Sequence, residues 1–301
     1  MASLNSHISW TDSTWNPTTG CTKVSPGCDH CYAEALTNRL WGGGFETVRE
    51  HPDRLRQVRQ FGPIIDGSTV RPRMVFVNSM SDLMHDNIAD AFRDQVFETM
   101  EGAPRTVFQI LTKRPMTLRR YIEARYGARG VPSHLWLGCS VEDNRVRGRI
   151  DMLRRLKDAV GDFTAFLSVE PLIGPADRHD YSGIEWVLIG GESGIKARPC
   201  EPDWARQSRD LALAAGSAVW FKQWGTWVSN PLYQAAPGPL HLDKVRQAIG
   251  AGEGLARIEP HPKTGRPSVV GEKGGATLDG RTWRDLPPAY AAMRAPSPTL
   301  V

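Results

Sequence analysis

Short, nearly continuous apolar runs alternate along the chain with segments of helical periodicity. Apolar runs rich in β-branched and aromatic residues are typical of parallel strands that are covered on both faces. They predict strands at residues 74–78, 106–111, 135–140, 163–169, 186–190 and 218–222, with a shorter first strand at 8–10. The periodic segments predict helices at residues 32–40, 88–100, 116–125, 144–156 and 202–215.

The predicted strands from residue 74 onward begin 23 to 32 residues apart, about the length of one βαβ unit. Such regular alternation predicts an α/β fold with a parallel sheet or barrel. A cluster of polar residues follows each of these strands. Because the carboxyl ends of parallel strands share one rim, we expect the polar clusters to converge there on an active site.

The pattern changes near Ser229. Residues 230–301 contain ten of the 22 prolines and two glycine-rich stretches, and their periodicity is weak. We therefore divide the chain into a core at 1–229 and an irregular, Pro/Gly-rich extension at 230–301 that packs on the core. Within the extension, residues 277–283 predict a small hairpin.

The composition is that of an ordinary globular protein, with 40% hydrophobic and 23% charged residues. The net charge of +4 permits contact with a polyanion but does not indicate one. The longest apolar stretch, at 211–221, is about half a membrane span. Because the first residues lack a basic head followed by an apolar core, we expect a cytoplasmic protein with no membrane partner.

The cysteines give the sharpest chemical signal. The chain has five, and an odd number in a cytoplasmic protein does not indicate a disulfide framework. Three of them, Cys21, Cys28 and Cys31, lie within eleven residues in a loop containing glycine and proline, just ahead of the helix predicted at 32–40. The loop glycines and proline allow the backbone to turn around a bulky group.

Three thiolates without an obvious fourth ligand suit a [4Fe–4S] cluster that leaves one iron open. A structural zinc ion normally has four protein ligands, and His30, Cys139 or Cys200 could supply the fourth. Cys139 otherwise fits a small residue buried in an apolar strand. The spacing alone leaves three hypotheses open: an iron–sulfur cluster, a zinc ion, or three unrelated thiols.

The context of the triad resembles a known superfamily. A cysteine triad after the first strand of a partial (βα)6-type barrel is similar to the radical S-adenosylmethionine enzymes, and the Cys-Tyr-Ala at 31–33 resembles their spore-photoproduct-lyase-like branch. The wider run Trp-Thr-Asp-Ser-Thr-Trp-Asn-Pro-Thr-Thr-Gly-Cys at 10–21 resembles a phage- and prophage-associated family of unknown function. That likeness extends through residues 108–114, 168–172, 190–194 and 221–225.

The chain departs from the superfamily's usual motifs at two places. The usual spacing is Cys-x3-Cys-x2-Cys with an aromatic residue before the last cysteine, whereas here the first gap is six and His30 takes the aromatic position. The Gly-Gly-Glu that often follows the second strand is replaced by Asn-Ser-Met-Ser-Asp at 78–82. Both differences concern the binding of S-adenosylmethionine more than the cluster.

The resemblance implies that a [4Fe–4S] cluster and S-adenosylmethionine together supply a 5′-deoxyadenosyl radical, while the protein places that radical beside one substrate C–H bond. It also implies a one-electron donor, such as a reductase or a flavodoxin-like protein. On this reading Ser79 and Asp82 hold the methionyl end and Ser140 and Glu142 the ribose. The adenine is bordered by Gly190, Gly191 and Glu192.

Several residues at the same rim suit an anionic substrate such as a nucleotide or a nucleic-acid base. Lys113, Arg114, Lys222 and Gln223 are expected to hold it, since lysine offers a point charge and arginine a bidentate fork. Lys113, Glu170 and Lys222 are the catalytic candidates. Trp224 and Trp227 suit either base stacking or packing beneath the C-terminal extension.

The leading hypothesis is therefore a radical S-adenosylmethionine-type enzyme that modifies or repairs a nucleotide-like substrate. A second is a non-catalytic phage accessory or nucleic-acid-binding protein with a structural zinc ion at the triad. A third retains the cluster but uses it for electron transfer or sensing.

Overall fold

One eight-stranded sheet forms the centre of the protein. The computed structural model describes residues 2–194, 197–225, 257–260, 267–270 and 275–296. In spatial order, which is also chain order, the strands are β1 (Ala2–Ser3), β2 (Ser13–Trp15), β3 (Arg73–Val77), β4 (Thr106–Thr112), β5 (Leu135–Ser140), β6 (Ala165–Val169), β7 (Trp186–Gly190) and β8 (Ala218–Gln223). Only β1 is antiparallel to its neighbour, and β2 to β8 are parallel throughout. The predicted parallel sheet is confirmed.

Six helices accompany this sheet in the described residues, and the four that follow β3, β4, β5 and β7 pack on its outer face. The six helices are α1 (Tyr32–Trp41), α2 (Asp90–Glu101), α3 (Pro115–Tyr126), α4 (Gly148–Val160), α5 (Pro202–Ala214) and α6 (Pro288–Ala292). Alternate strand residues such as Val75 and Val77 pack with α2 residues such as Phe92 and Val96 in one large core. The first five helices lie within four residues of their predicted ends, because their apolar positions follow the helical period.

The remaining short strands form small antiparallel sheets of their own. Thr18–Thr19 pairs with Arg49–Glu50, Ile64–Asp66 with Thr69–Arg71, and Thr69–Arg71 also with Ala295–Pro296. Arg257–Pro260 pairs with Pro267–Val270, and Thr277–Leu278 with Arg281–Thr282. Single 3-10 helices occupy Pro26–Cys28, Pro52–Gln60, Gly127–Arg129 and Asn144–Val146.

The inner face of the sheet carries a second, largely aromatic core. Trp10, which precedes β2, lies 6.2 Å between ring centroids from Trp186 of β7, and Trp186 lies 6.1 Å from Trp220 of β8. The sheet is therefore strongly curved, since Trp10 reaches a strand five positions away from β2. Tyr290 of α6 packs into the same aromatic cluster. In the described residues β1 and β8 do not pair, so a closed barrel is not shown.

The prediction of a first strand at 8–10 is wrong. Ile8 and Thr11 form a turn, closed by the Thr11 N–H donating to the Ile8 carbonyl at 3.2 Å. The apolar signal at this position reflects the burial of Trp10 in the inner core and not a strand. The first parallel strand is β2, whose Ser13 and Thr14 gave little apolar signal.

The described part of the C-terminal extension packs on the sheet. The hairpin predicted at 277–283 is confirmed, and its turn carries Asp279 and Gly280 at positive φ. Leu278 and Trp283 are buried in the outer core. The division at residues 229 and 230 stays a prediction, because residues 226–256 lie outside the described residues. No helix in the described segments is long and apolar enough to cross a bilayer.

Candidate functional site

The three cysteines of the N-terminal loop open onto one cavity of about 490 Å³. It lies at the carboxyl ends of the parallel strands, where the polar clusters converge. All three thiols are free and partly exposed. The cavity is also lined by residues from the ends of β3 to β8, among them Ser79, Asp82, Lys113, Arg114, Ser140, Ser168, Glu170, Gly191, Glu192, Lys222 and Gln223. Most of the predicted site residues are thus brought together.

Two glycines set the path of the cysteine loop. Gly20 has φ of +85°, and a Cβ there would lie 2.2 Å from the Thr47 carbonyl oxygen, so only glycine fits. At Gly27 a Cβ would lie 2.2 Å from the Glu142 side chain. After the loop, Cys31 occupies the N-cap position of α1, and its side chain makes no capping hydrogen bond. Glycine therefore lets the loop lie directly against the sheet.

Arg114, at the start of α3, contacts the loop at Cys21. Its guanidinium donates from Nη1 to the Cys21 Sγ at 3.5 Å and to Asp82 at 3.1 Å, and from Nη2 to the carbonyl and hydroxyl oxygens of Thr22 at 2.9 and 3.0 Å. Burial, and next the charge of Asp82, raises the pKa of the Cys21 thiol, whereas Arg114 opposes this rise. Arg114 thus lines the cavity, but its guanidinium is hydrogen-bonded to the cysteine loop and to Asp82.

Asp82 is buried and its carboxylate is used inside the protein. One oxygen accepts hydrogen bonds from the Thr112 hydroxyl at 2.7 Å and the Met84 N–H at 2.9 Å. The other accepts from the Lys113 N–H and from Arg114, both at 3.1 Å. Asp82 therefore fixes the turn that follows β4.

Glu142, which follows β5, connects the cysteine loop to the core at a second point. Its carboxylate accepts from the Ser25 hydroxyl at 2.7 Å and from Arg149 of α4 at 2.9 Å, while the Lys113 ammonium lies 3.8 Å away. Only 1% of Glu142 is exposed. Because a buried carboxylate requires partners, the Ser25 and Arg149 contacts fix its position against Gly27.

Glu192, which follows β7, connects the cysteine loop to the sheet at a third point. Its carboxylate accepts from Arg198 at 2.6 and 2.9 Å and contacts the His30 ring Nδ1 at 3.1 Å. Arg198 also donates to the Pro26 carbonyl at 2.8 Å. Burial raises the pKa of Glu192, but hydrogen bonds from Arg198 and His30 outweigh it and hold that pKa below its ordinary value.

Glu170 and Lys222 face the cavity as an ion pair. The Lys222 Nζ lies 3.2 Å from the Glu170 Oε1, and the other carboxylate oxygen accepts from the Ser168 hydroxyl at 3.2 Å. Oε1 is buried and has no hydrogen bond of good geometry in the described residues. Gly190 lies beside it, where a Cβ would come within 2.5 Å of Oε1. These two charged groups therefore lie on the cavity wall with part of their bonding capacity free.

The predicted serines differ in their surroundings. The Ser79 hydroxyl pairs with the Asn16 side chain at 3.1 Å, and its carbonyl accepts from the Tyr32 hydroxyl. The Ser140 hydroxyl faces the cavity and makes no hydrogen bond within the described residues. Gln223 donates to the Ser193 hydroxyl at 2.6 Å, so its amide is used inside the protein.

With this geometry established, comparison with known proteins identifies the family. Residues 5–287 match the family described as Protein of unknown function (DUF5131). The chain belongs to the DUF5131 family. The predicted resemblance to a family of unknown function is thereby confirmed. No curated protein matches the chain.

Among solved structures, the DUF5131 protein is distantly similar to spore photoproduct lyase. A complex of that lyase with dinucleoside spore photoproduct gives a TM-score of 0.46 at 11% identity, covering 90% of this chain and 71% of the lyase. A point variant of the lyase gives a TM-score of 0.45 at 12% identity, covering 69% of this chain and 63% of the lyase, which is less than two thirds of its length. A likeness of this degree shows neither a shared activity nor a shared substrate.

The other two cysteines of the DUF5131 protein lie away from the cavity. Cys139 of β5 and Cys200, ahead of α5, are both buried in the outer core, where burial raises the pKa of each thiol to about 12. Neither lines the cavity, so neither supplies a fourth ligand to the triad as the protein is folded. Among the described residues, no three histidine, cysteine, aspartate or glutamate side chains stand close enough to hold one metal ion.

Three residues that hold the site were missed from the sequence: Ser25, Arg149 and Arg198. Each contacts a predicted site carboxylate, but no motif distinguishes them from ordinary loop or helix residues. Trp224, for which stacking and packing were both open, is buried, and its indole N–H donates to the Thr277 carbonyl at 2.9 Å. Packing beneath the extension is therefore confirmed for Trp224, whereas Trp227 lies outside the described residues.

Proposed function

We propose that the DUF5131 protein is an iron–sulfur enzyme of the radical S-adenosylmethionine type that modifies or repairs a nucleotide-like or nucleic-acid-like anionic substrate. One observation carries the proposal. Cys21, Cys28 and Cys31 open from a single loop onto one cavity, and that cavity lies at the carboxyl ends of the parallel strands. This is the rim at which α/β barrels and open α/β sheets place their ligands.

The residues present fit a cluster better than a single ion. A zinc ion needs all its sulfur ligands within about 2.3 Å of one point, whereas each cysteine of a [4Fe–4S] cluster binds its own iron. The three thiols open onto one cavity of about 490 Å³, which suits a group larger than one ion. Cys21, Cys28 and Cys31 would hold such a cluster, and with an electron from a donor protein it would supply reductive cleavage of the C–S bond of S-adenosylmethionine to methionine and a 5′-deoxyadenosyl radical.

On the cofactor side, we divide the predicted residues by what their polar atoms do. Asp82, Glu142 and Glu192 are bonded to protein groups, and we assign them the task of holding the loops that border the cofactor. The Ser140 hydroxyl, which faces the cavity, is assigned to the ribose. Ser79 is assigned to the methionyl group, for which its hydroxyl would exchange its bond to Asn16. For the adenine we keep the Gly190–Gly191 backbone, of which Gly191 lines the cavity.

On the substrate side, we assign three charged groups that line the cavity, Lys113, Glu170 and Lys222, and the last two pair with each other. Both lysines reach the cavity, and an ammonium group is a strong donor to phosphate. Glu170 has an oxygen that lacks a hydrogen bond, which suits a donor group on the substrate. We extend the proposal to a phage-associated, cytoplasmic setting and to a one-electron donor protein.

Metal loading tests the proposal. The protein is reconstituted anaerobically with iron and sulfide, and iron, sulfide and zinc are counted per chain. We expect a brown protein with about four irons. Cys28→Ala should lose the iron, and Cys139→Ala, the matched control from the outer core, should keep it. A colourless wild-type protein with about one zinc would support the alternative of a non-catalytic nucleic-acid-binding or phage accessory protein.

A further inference from the structure

The expected role of Arg114 in binding an anionic substrate does not explain the contacts of its side chain. Arg114 was expected to hold an anion, yet only 8% of it is exposed and its guanidinium is spent on Cys21, Thr22 and Asp82. Asp82 is itself fixed by Thr112 and by the backbone of the same turn. The guanidinium plane is therefore held on both sides, with one N–H directed at the Cys21 sulfur.

This contact distinguishes Cys21 from the other two cysteines of the triad. Its sulfur receives a hydrogen bond from a buried cation. The Cys28 sulfur lies 3.9 Å from the neutral Ser25 hydroxyl, and in the part of the chain that the structure describes the Cys31 sulfur has no hydrogen bond. The three sulfurs thus have unequal electrostatic surroundings, and the positive charge is at one of them.

We propose that Arg114 is a positioning residue for Cys21, and that its N–H···S hydrogen bond raises the reduction potential of the iron–sulfur group bound through that sulfur. The inference rests on the proposed function. Reduction adds negative charge to the group, and a nearby cation with a hydrogen bond to sulfur stabilises the more negative state. Removing the bond should therefore make the group harder to reduce.

The test compares three variants after anaerobic reconstitution. Arg114→Gln removes the charge, Arg114→Lys keeps the charge but loses the planar fork, and Arg120→Gln is the control. Arg120 lies on the same helix, is exposed, and pairs with Asp90 without contacting a cysteine. Iron per chain, circular dichroism and the midpoint potential from a redox titration followed by electron paramagnetic resonance are measured for each.

We expect Arg114→Gln to lower the reduced-to-oxidised ratio at a fixed potential about tenfold, which is about 59 mV for a one-electron couple. Arg114→Lys should shift the potential in the same direction by less, and Arg120→Gln should not shift it. A folded Arg114→Lys protein that loses iron would support the role of Arg114 in positioning Cys21. Full iron loading with unchanged potentials in both Arg114 variants would overturn the inference while leaving the proposed function intact. A wild-type protein that binds no iron would overturn both.

Discussion

Glu170 and Lys222 meet across a strand that carries no side chain between them. Glu170 follows β6 and Lys222 lies in β8, yet their charged atoms are 3.2 Å apart. The intervening strand, β7, ends at Gly190, where a Cβ would lie 2.5 Å from the Glu170 Oε1. The pair on the cavity wall therefore depends on glycine at this position.

Gly190→Ala should break this arrangement. The added methyl group must displace the Glu170 carboxylate, and overpacking of this kind costs about 1–3 kcal/mol of unfolding free energy. Urea unfolding measures the loss. Gly148→Ala is the matched control, because a Cβ there meets nothing within 4 Å, and we expect no loss of stability. Equal stability of the two variants would contradict the packing described at Gly190.

Lys113 and Lys222 should contribute to the binding of an anionic substrate. We expect Lys113→Met and Lys222→Met each to weaken the binding of a dinucleoside monophosphate about tenfold, or about 1.4 kcal/mol, because each removes a charge from the cavity wall. Isothermal titration calorimetry provides the measurement. Lys157→Met is the control, since Lys157 pairs with Glu185 and does not line the cavity. Unchanged affinity in both cavity variants would contradict the assignment.

Glu142 should be the most costly of the loop-holding carboxylates to remove. Glu142→Ala leaves Arg149 buried without its charge partner, which costs about 3–5 kcal/mol, and frees Ser25 in the cysteine loop. We expect a lower urea midpoint together with less iron per chain. Glu123→Ala, which breaks a partly exposed pair with Arg119 on α3, should cost about 0.3–0.5 kcal/mol. If Glu142→Ala loses no more stability than Glu123→Ala, the ion pair between Glu142 and Arg149 does not hold the loop.

Stability should fall as the pH is lowered below about 6.5, the ordinary pKa of histidine. Burial lowers the pKa of His134, although the hydrogen bond to the Met100 carbonyl opposes this. The unfolded chain therefore binds the proton more readily, and the contribution of His134 is complete above that pH and is lost as the pH falls toward the folded pKa. Urea midpoints at pH 7.5 and 5.5 should differ less in His134→Gln than in the wild type. An equal difference would contradict the expectation.

The sheet was predictable because its strands are buried on both faces and read as apolar runs. The strand at 8–10 was misplaced because the aromatic Trp10 fills the inner core from a turn, while β2 is short and partly polar. The cysteine triad was visible because its residue type and spacing are local features of the sequence.

The groups that hold the site were not predictable in the same way. His30 and Glu192 are 162 residues apart, and Ser25 and Glu142 are 117 apart. Such contacts depend on how the strand ends are brought together, and a single sequence contains no periodicity that marks them. For this reason Asp82 and Glu142 were predicted as ligand contacts, whereas their bonds are to the protein.

The formation of 5′-deoxyadenosine tests the central claim most directly. The reconstituted wild-type protein is mixed anaerobically with S-adenosylmethionine and dithionite, and the products are measured by liquid chromatography. We predict that 5′-deoxyadenosine and methionine form in equal amounts with the wild type and that neither forms with Cys28→Ala. A fully iron-loaded wild-type protein that yields no 5′-deoxyadenosine with dithionite or a stronger reductant would contradict the radical chemistry and indicate a cluster used for electron transfer or sensing.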